Sequence, residues 1–520
     1  MRSTKEALFF ALSRVYFFVS KIIFTLLNVF SPRIFVAPTS KNLLLLSARK
    51  AAAAIRAREI TSAALIEAYI ERILEVNPIV NGIAEENFEE ARRLAAEADA
   101  LIANSSTDEL MTLGITRPLH GIPFTVKDAF AVLGKRQTSG VYMRKDTVAD
   151  SDAEVVRRMK EAGAICLATT NVPELCAAGE TVNALYGKTS NPYDTRRSAA
   201  GSSGGEGAVI GAAASLIGVG SDIMGSVRAP AAACGIYGLL PSPQTTPMKG
   251  HFPQPIEQRL NLCQAGPLCR FSEDLPLMIR VMTGANTELD EPISSLRIFY
   301  MEGIDSPLNE YTSETVERAV KKAVAFLERK YSTTAVEVKF PLAAWTQEMF
   351  AADFLIPGQP PMTKALAAQP FNVFLELLRG LFFHSSVHSP PTMMKCLLQK
   401  AAGMDEKKRV EPLQRLEYLQ RQMAELLGKD GVLLSPTMPD VAFFHNKNVF
   451  APLNNSYAAL FNVLHIPSLH CPLGLDSSSQ LPVGVQVSGP VNSDGRLISI
   501  AHDLEVEFGG WQQQRVVYSS

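Results

Sequence analysis

The stretch Ser198-Ala-Ala-Gly-Ser-Ser-Gly-Gly-Glu-Gly207 runs through Ala208-Val-Ile-Gly-Ala-Ala-Ala-Ser-Leu-Ile-Gly-Val-Gly220 into Ser221-Asp-Ile-Met-Gly-Ser-Val-Arg-Ala-Pro230. Two serine-bearing glycine clusters enclose a run of small and apolar residues, with Ser202 in the first and Ser226 in the second, 24 residues on. Glycine lacks a Cβ, so such loops turn tightly and bring backbone close to a bound group. Hydroxyls on them suggest a serine nucleophile with backbone N–H groups arranged around it. A flexible Gly-Ser linker would not continue into an apolar strand. A phosphate-cradling loop would carry Gly-Lys-Ser/Thr at its end, whereas Glu206 stands in this one.

Upstream, Gly121-Ile-Pro-Phe-Thr-Val-Lys-Asp128 places Lys127 at the end of a short apolar run that reads as a buried strand. Taken alone, a lysine is a solvated surface residue. Its coincidence with the two serine clusters argues for an amine in a low-dielectric site. Similar short β-like runs, Ile165–Ala168, Leu216–Gly220, Leu296–Met301, Val432–Ser435 and Val483–Val487, alternate with helical segments. That alternation predicts an α/β fold with a largely central mixed sheet. Apolar residues at i, i+3 and i+4 make Lys50 to Asn77 helical, with Thr61 as an N-cap, and Phe88 to Ala103 forms a second, charge-rich helix.

Together the three motifs resemble the amidase signature family. Its flanking motifs are present as Thr170-Asn-Val-Pro-Glu174, Asn191-Pro-Tyr193, Cys234-Gly-Ile-Tyr-Gly238, Gly266-Pro-Leu268 and Leu481-Pro-Val-Gly-Val-Gln486, so the resemblance covers roughly residues 43 to 515. It implies one α/β/α domain, residues 43–520, around a twisted mixed sheet of about eleven strands, and an amide-hydrolysing activity without metal or organic cofactor. It also implies a Ser-Ser-Lys triad. Ser226 would attack the carbonyl, Lys127 would be the base, and Ser202, on a cis peptide bond, would carry the proton between them. The backbone N–H groups of Ile223, Met224, Gly225 and Ser226 would form the oxyanion hole. The chemistry requires a neutral lysine: free lysine has a pKa of ~10.4, and burial lowers it. Ser203 is expected to hydrogen-bond locally, and Asp222 and Arg228 to lock the loop. Met224 and Ala200 replace glycines of the usual pattern. If Met224 needs a positive φ, its side chain is strained, and a weakened or inactive family member with a binding role stays open.

The first 58 residues hold ten Lys/Arg and one acid, leaving 40 basic and 51 acidic residues for the remainder. Within that basic end lies the apolar segment Ala7 to Phe30. As a helix it extends ~36 Å, enough to cross a bilayer core. Arg14 and Lys21 leave insertion only narrowly favourable: roughly −4.5 to −9 kcal/mol from the apolar side chains stands against about +5 to +7 from the two charges. Arg14, Lys21, Thr25 and Asn28 share one stripe, so the helix can instead lie in the interface. Residues 1–42 are therefore expected to be a membrane-anchor segment and linker, single-pass or interfacial, on intracellular membranes or a lipid droplet. A signal peptide and a buried soluble helix are the weaker readings. The seven cysteines, from Cys166 to Cys471, have no metal-ligand spacing and read as reduced core residues.

A lipid amide substrate is suggested by the anchor and by Phe371-Asn-Val-Phe-Leu-Glu-Leu-Leu-Arg-Gly-Leu-Phe-Phe383, which reads either as a core helix or as an apolar cap. Within the family this is most similar to the membrane-bound fatty-acid amide hydrolases. A soluble amidase of the amidotransferase type, acting on tRNA within a larger complex, is the alternative. The anchor and the lack of a basic patch argue against nucleic acid. A homodimer is possible.

Overall fold

The computed structural model describes residues 4–285, 293, 295–367, 369–383, 385–402 and 405–514. Eleven strands form one mixed sheet. In chain order they are β1 (Ile83–Glu86), β2 (Pro123–Lys127), β3 (Ile165–Thr170), β4 (Ile217–Asp222), β5 (Tyr237–Leu240), β6 (Gln264–Cys269), β7 (Arg297–Tyr300), β8 (Val336–Glu337), β9 (Gly431–Ser435), β10 (Ser468–Leu475) and β11 (Pro482–Ser488). All six apolar runs marked in the sequence are strands. Across the sheet the order is β1-β3-β2-β4-β6-β5-β10-β11-β9-β7-β8. The trio β3-β2-β4 is parallel, the strands from β4 through β9 alternate in direction, and β9-β7-β8 is parallel again.

Every residue of β2, β3, β4 and β6 is buried, so helices must cover both faces of the sheet there. This is the expected α/β/α architecture in one large domain. The two glycine clusters each lead into a helix, Gly204–Gly211 and Arg228–Cys234, and β4 connects them. Helices α2 (Ala48–Arg56) and α3 (Ser62–Val80) are separated by a turn where Arg58 has a φ of +61°. Thr61 caps α3 as its sequence demands, its hydroxyl accepting from Ala64 N at 3.1 Å. Helix α4 spans Phe88–Asn104.

Helix α1 (Thr4–Val29) lies against the body through a narrow face. Phe17 and Phe24 are buried on that face, Phe24 meets the Phe450 ring edge-on at 5.5 Å, and Tyr16 donates to Phe450 O at 2.9 Å. The polar stripe points the same way: Lys21 pairs with Asp440 at 2.9 Å, and Arg14 sits 4.5 Å over the Tyr311 ring. Leu8, Leu12, Phe18, Ile22, Leu26 and Phe30 are left facing outward. Beyond α1 the chain is tied to the body, with Thr195 N donating to Ile34 O and Val36 N to Pro192 O, both at 2.8 Å.

The segment Phe371–Phe383 is not a core helix. It forms a short helix, Val373–Leu378, continued by a π turn, Arg379–Phe383. Leu377 is its buried anchor, whereas Phe374, Phe382 and Phe383 are 57%, 70% and 73% exposed.

Candidate active site

Strand β2 ends on Lys127, and its side chain is completely buried. Nζ lies 2.6 Å from Ser202 Oγ, 3.0 Å from Ser221 Oγ and 3.3 Å from Ser221 O. Burial pushes the lysine pKa down, because an ammonium ion loses its hydration there. The Gly201–Ser202 peptide is cis. Glu206, one turn into the following helix, accepts from Thr125 Oγ1 at 2.7 Å and Thr170 Oγ1 at 2.8 Å, and burial raises its carboxyl to about 8. It braces β2 against β3 from within the core.

The second cluster is held by an enclosed ion pair. Asp222 accepts from Gly225 N at 2.8 Å, Val227 N at 3.1 Å and Arg228 Nη2 at 3.1 Å. Arg228 donates onward to Asn462 Oδ1, Ala458 O and Gln486 Oε1. Burial alone would raise the Asp222 carboxyl, but Arg228 and the converging donors hold it below its usual range. The loop is locked by these two residues.

Because the Gly225 N–H is taken by Asp222, it is not available to a substrate oxygen, which corrects the four-donor expectation. The N–H groups of Ile223, Met224 and Ser226 meet no acceptor among the described residues. Gly225 itself has a φ of +92°, and a Cβ there would stand 2.3 Å from Ala458 Cβ. Met224 is not among the positive-φ residues. The conformational strain expected of it is absent, since Gly225 takes the left-handed position. Met224 packs against the cluster containing Tyr457 and Leu460, and its sulfur accepts from Asn455 Nδ2 at 3.7 Å. Ala200 is the residue in a glycine-like conformation, with a φ of +59°. Ser203 does not bond locally as expected: its Oγ is buried without a partner among the described residues.

Ser202, Ser226, Ile223 and Met224 border a cavity of about 1160 Å³ whose lining also includes Phe354, Met394 and Leu398. Asp440, which holds Lys21 of α1, borders the same cavity.

A family model described as Amidase matches residues 64–498. The chain belongs to the amidase signature family. As a member it is an amide-hydrolysing enzyme. It is 37% identical over 489 residues to fatty-acid amide hydrolase 2-A of Danio rerio, covering 92% of this chain and 91% of that protein. It is likewise 37% identical over 492 residues to fatty-acid amide hydrolase 2 of Homo sapiens, covering 91% of each. Among solved structures, a fatty acid amide hydrolase superposes with a TM-score of 0.72 at 24% identity, covering 91% of this chain and 87% of that one, a likeness of fold.

Sequence reasoning passed over three residues that the amidase signature fold brings to this site. Ser221 sits inside the quoted motif and could have been found by its place in Gly220-Ser-Asp. His251 lies 2.9 Å from Ser221 Oγ, and no local pattern marks it. Cys176, expected in the core with the other cysteines, instead borders the cavity.

Proposed function

We propose that this amidase hydrolyses fatty-acid amides at a membrane surface, releasing the free acid and the amine. The observation that carries the reading is the buried Lys127–Ser202 contact, whose serine borders a cavity with a largely apolar lining. Ser226 attacks the amide carbonyl as its proton passes to Ser202 Oγ, while the Ser202 proton passes to Lys127 Nζ. The oxyanion accepts hydrogen bonds from among the N–H groups of Ile223, Met224 and Ser226. On collapse the proton returns from Lys127 through Ser202 to the leaving nitrogen, giving the amine and an acyl-Ser226 ester. Water then cleaves that ester by the same relay. Neutral Lys127 is the proton acceptor at the start of each half-reaction, which its burial supports.

The outward apolar face of α1 and the exposed Phe374, Phe382 and Phe383 support attachment in the plane of the interface. A spanning α1 would have to release Lys21 from Asp440 and Arg14 from Tyr311. The test is covalent labelling with a fluorophosphonate followed by mapping of the modified residue. The adduct is expected on Ser226; an adduct on Ser202 or Ser203 overturns the assignment.

A further inference from the structure

Lys127 faces two hydroxyls, and its role depends on which way each one points. An amine has two hydrogens and one lone pair. To act as a base towards Ser202 it must spend both hydrogens elsewhere. Ser221 offers two acceptors, its carbonyl at 3.3 Å and its Oγ at 3.0 Å. The second accepts only if the Ser221 hydrogen points away from the lysine.

His251 sets that direction. Its Nδ1 is 2.8 Å from Pro253 O, a carbonyl that can only accept, so Nδ1 carries the hydrogen. Nε2 therefore presents a lone pair to Ser221 Oγ at 2.9 Å, and Ser221 must donate to it. The ring is held in this place by Phe130, which meets it edge-on at 4.9 Å. Burial pushes the imidazole down to about 3, so it stays neutral and does not become a second donor.

We propose that His251 is a positioning residue that acts through Ser221: it turns the Ser221 hydroxyl away from Lys127, so that the amine keeps its lone pair for the Ser202 hydroxyl. This rests on the triad reading above. Other ionisable groups near Lys127 include Cys176, Cys263, Asp222 and Glu206, and the adjacent Asp128 is engaged by Thr138. Asp222 is engaged by Arg228, Glu206 by two threonines, and burial raises both thiols. None of them can replace the histidine lone pair at Ser221. Without that lone pair, the Ser221 hydrogen can swing onto the lysine nitrogen and compete with Ser202 for it.

The experiment measures fluorophosphonate labelling rate, kcat and KM on the full chain. The variants are His251→Ala, His251→Phe, His251→Gln, Ser221→Ala and the doubles with Ser221→Ala, each checked by a thermal melt. His251→Ala and His251→Phe should lower kcat and labelling about tenfold with KM unchanged, less than the ~10²–10⁴-fold a general base supplies. His251→Gln, whose amide oxygen can take the Ser221 hydrogen, should recover most of the loss. In the Ser221→Ala background the same changes should cost less than about twofold, since the hydroxyl they steer is gone. Equal losses in both backgrounds, or wild-type kcat in a folded variant without the lone pair, overturn the proposal. If His251→Ala does not fold, His251→Phe fills the space with an aromatic ring that lacks the lone pair and decides by the same criteria. Lys127→Ala and Ser226→Ala are run alongside. Retained labelling in them removes the triad reading and this proposal with it; lost labelling beside unaffected His251 variants removes this proposal alone.

Discussion

Lys127 Nζ stands 2.6 Å from Ser202 Oγ at a place where neither residue meets bulk water. The shift of the lysine follows from that enclosure. Burial favours the neutral amine, and Asp222 and Glu206 oppose the shift only as smaller effects.

Turnover should therefore rise with pH as Lys127 loses its proton and level off above its lowered pKa. The direction follows from the role: the base is silent while protonated. Lys127→Ala should lower kcat by ~10²–10⁴-fold. A pH–rate profile of amide hydrolysis checks both, and a flat profile with rate-limiting chemistry contradicts the assignment.

Ser226→Ala should abolish fluorophosphonate labelling and hydrolysis while the melting temperature stays close to that of the parent. Ser202→Ala should label slowly and not at zero rate, because its nucleophile survives without the proton relay. Gel-based labelling time courses separate the two.

Gly225→Ala should destabilise the fold. The left-handed φ costs ~1–2 kcal/mol for a residue with a Cβ, and the overlap with Ala458 adds ~1–3 kcal/mol. Met224→Gly, in contrast, should not raise turnover on a fatty-acid primary amide, because Met224 carries no positive φ to relieve. Urea denaturation reads the first; steady-state kinetics read the second, and a faster glycine variant would show that the methionine side chain obstructs the site.

Asp222→Asn should cost ~3–5 kcal/mol, since Arg228 keeps its charge in a fully enclosed place without its counter-ion. The parent pair also gives a pH dependence. The folded Asp222 pKa is depressed, so its stabilisation is complete above the unfolded value of ~3.9 and is lost as pH falls through the folded pKa. Urea midpoints measured between neutral and strongly acidic pH test both statements.

Removal of residues 1–30 should release the protein from membranes more readily and leave hydrolysis of a short soluble amide unchanged. Residual binding should then fall on replacing Phe382 and Phe383 by serine. Vesicle co-sedimentation measures the binding, and loss of short-amide activity in a folded truncation would refute the separation of anchor from site.

The strands were legible because a run such as Ile165–Ala168, buried on both faces, must be apolar along its length, and local composition records that directly. Lys127, Ser202 and Ser226 stood out as candidates because each lies in a short motif whose glycines or apolar neighbours announce its setting; the fold joins the first two by a hydrogen bond and sets Ser226 on the cavity that Ser202 borders. The locking role of Asp222 and Arg228 could be read from their closeness to Ser226. What the sequence could not give was direction and partnership across the chain. Nothing local says that Gly225, and not Met224, takes the positive φ, because that depends on Ala458 packing more than 200 residues away. Nothing local separates an apolar cap from a core helix at Phe371–Phe383, since both need the same side chains and only the neighbours decide which are covered. Lys21 and Arg14 of α1 were ambiguous for the same reason, as Asp440 and Tyr311 are distant in the chain. His251 shows the limit most plainly. A hydrogen bond to Ser221 is set by two side chains meeting within 3 Å, and that meeting exists only once β4 and the loop carrying His251 are folded together.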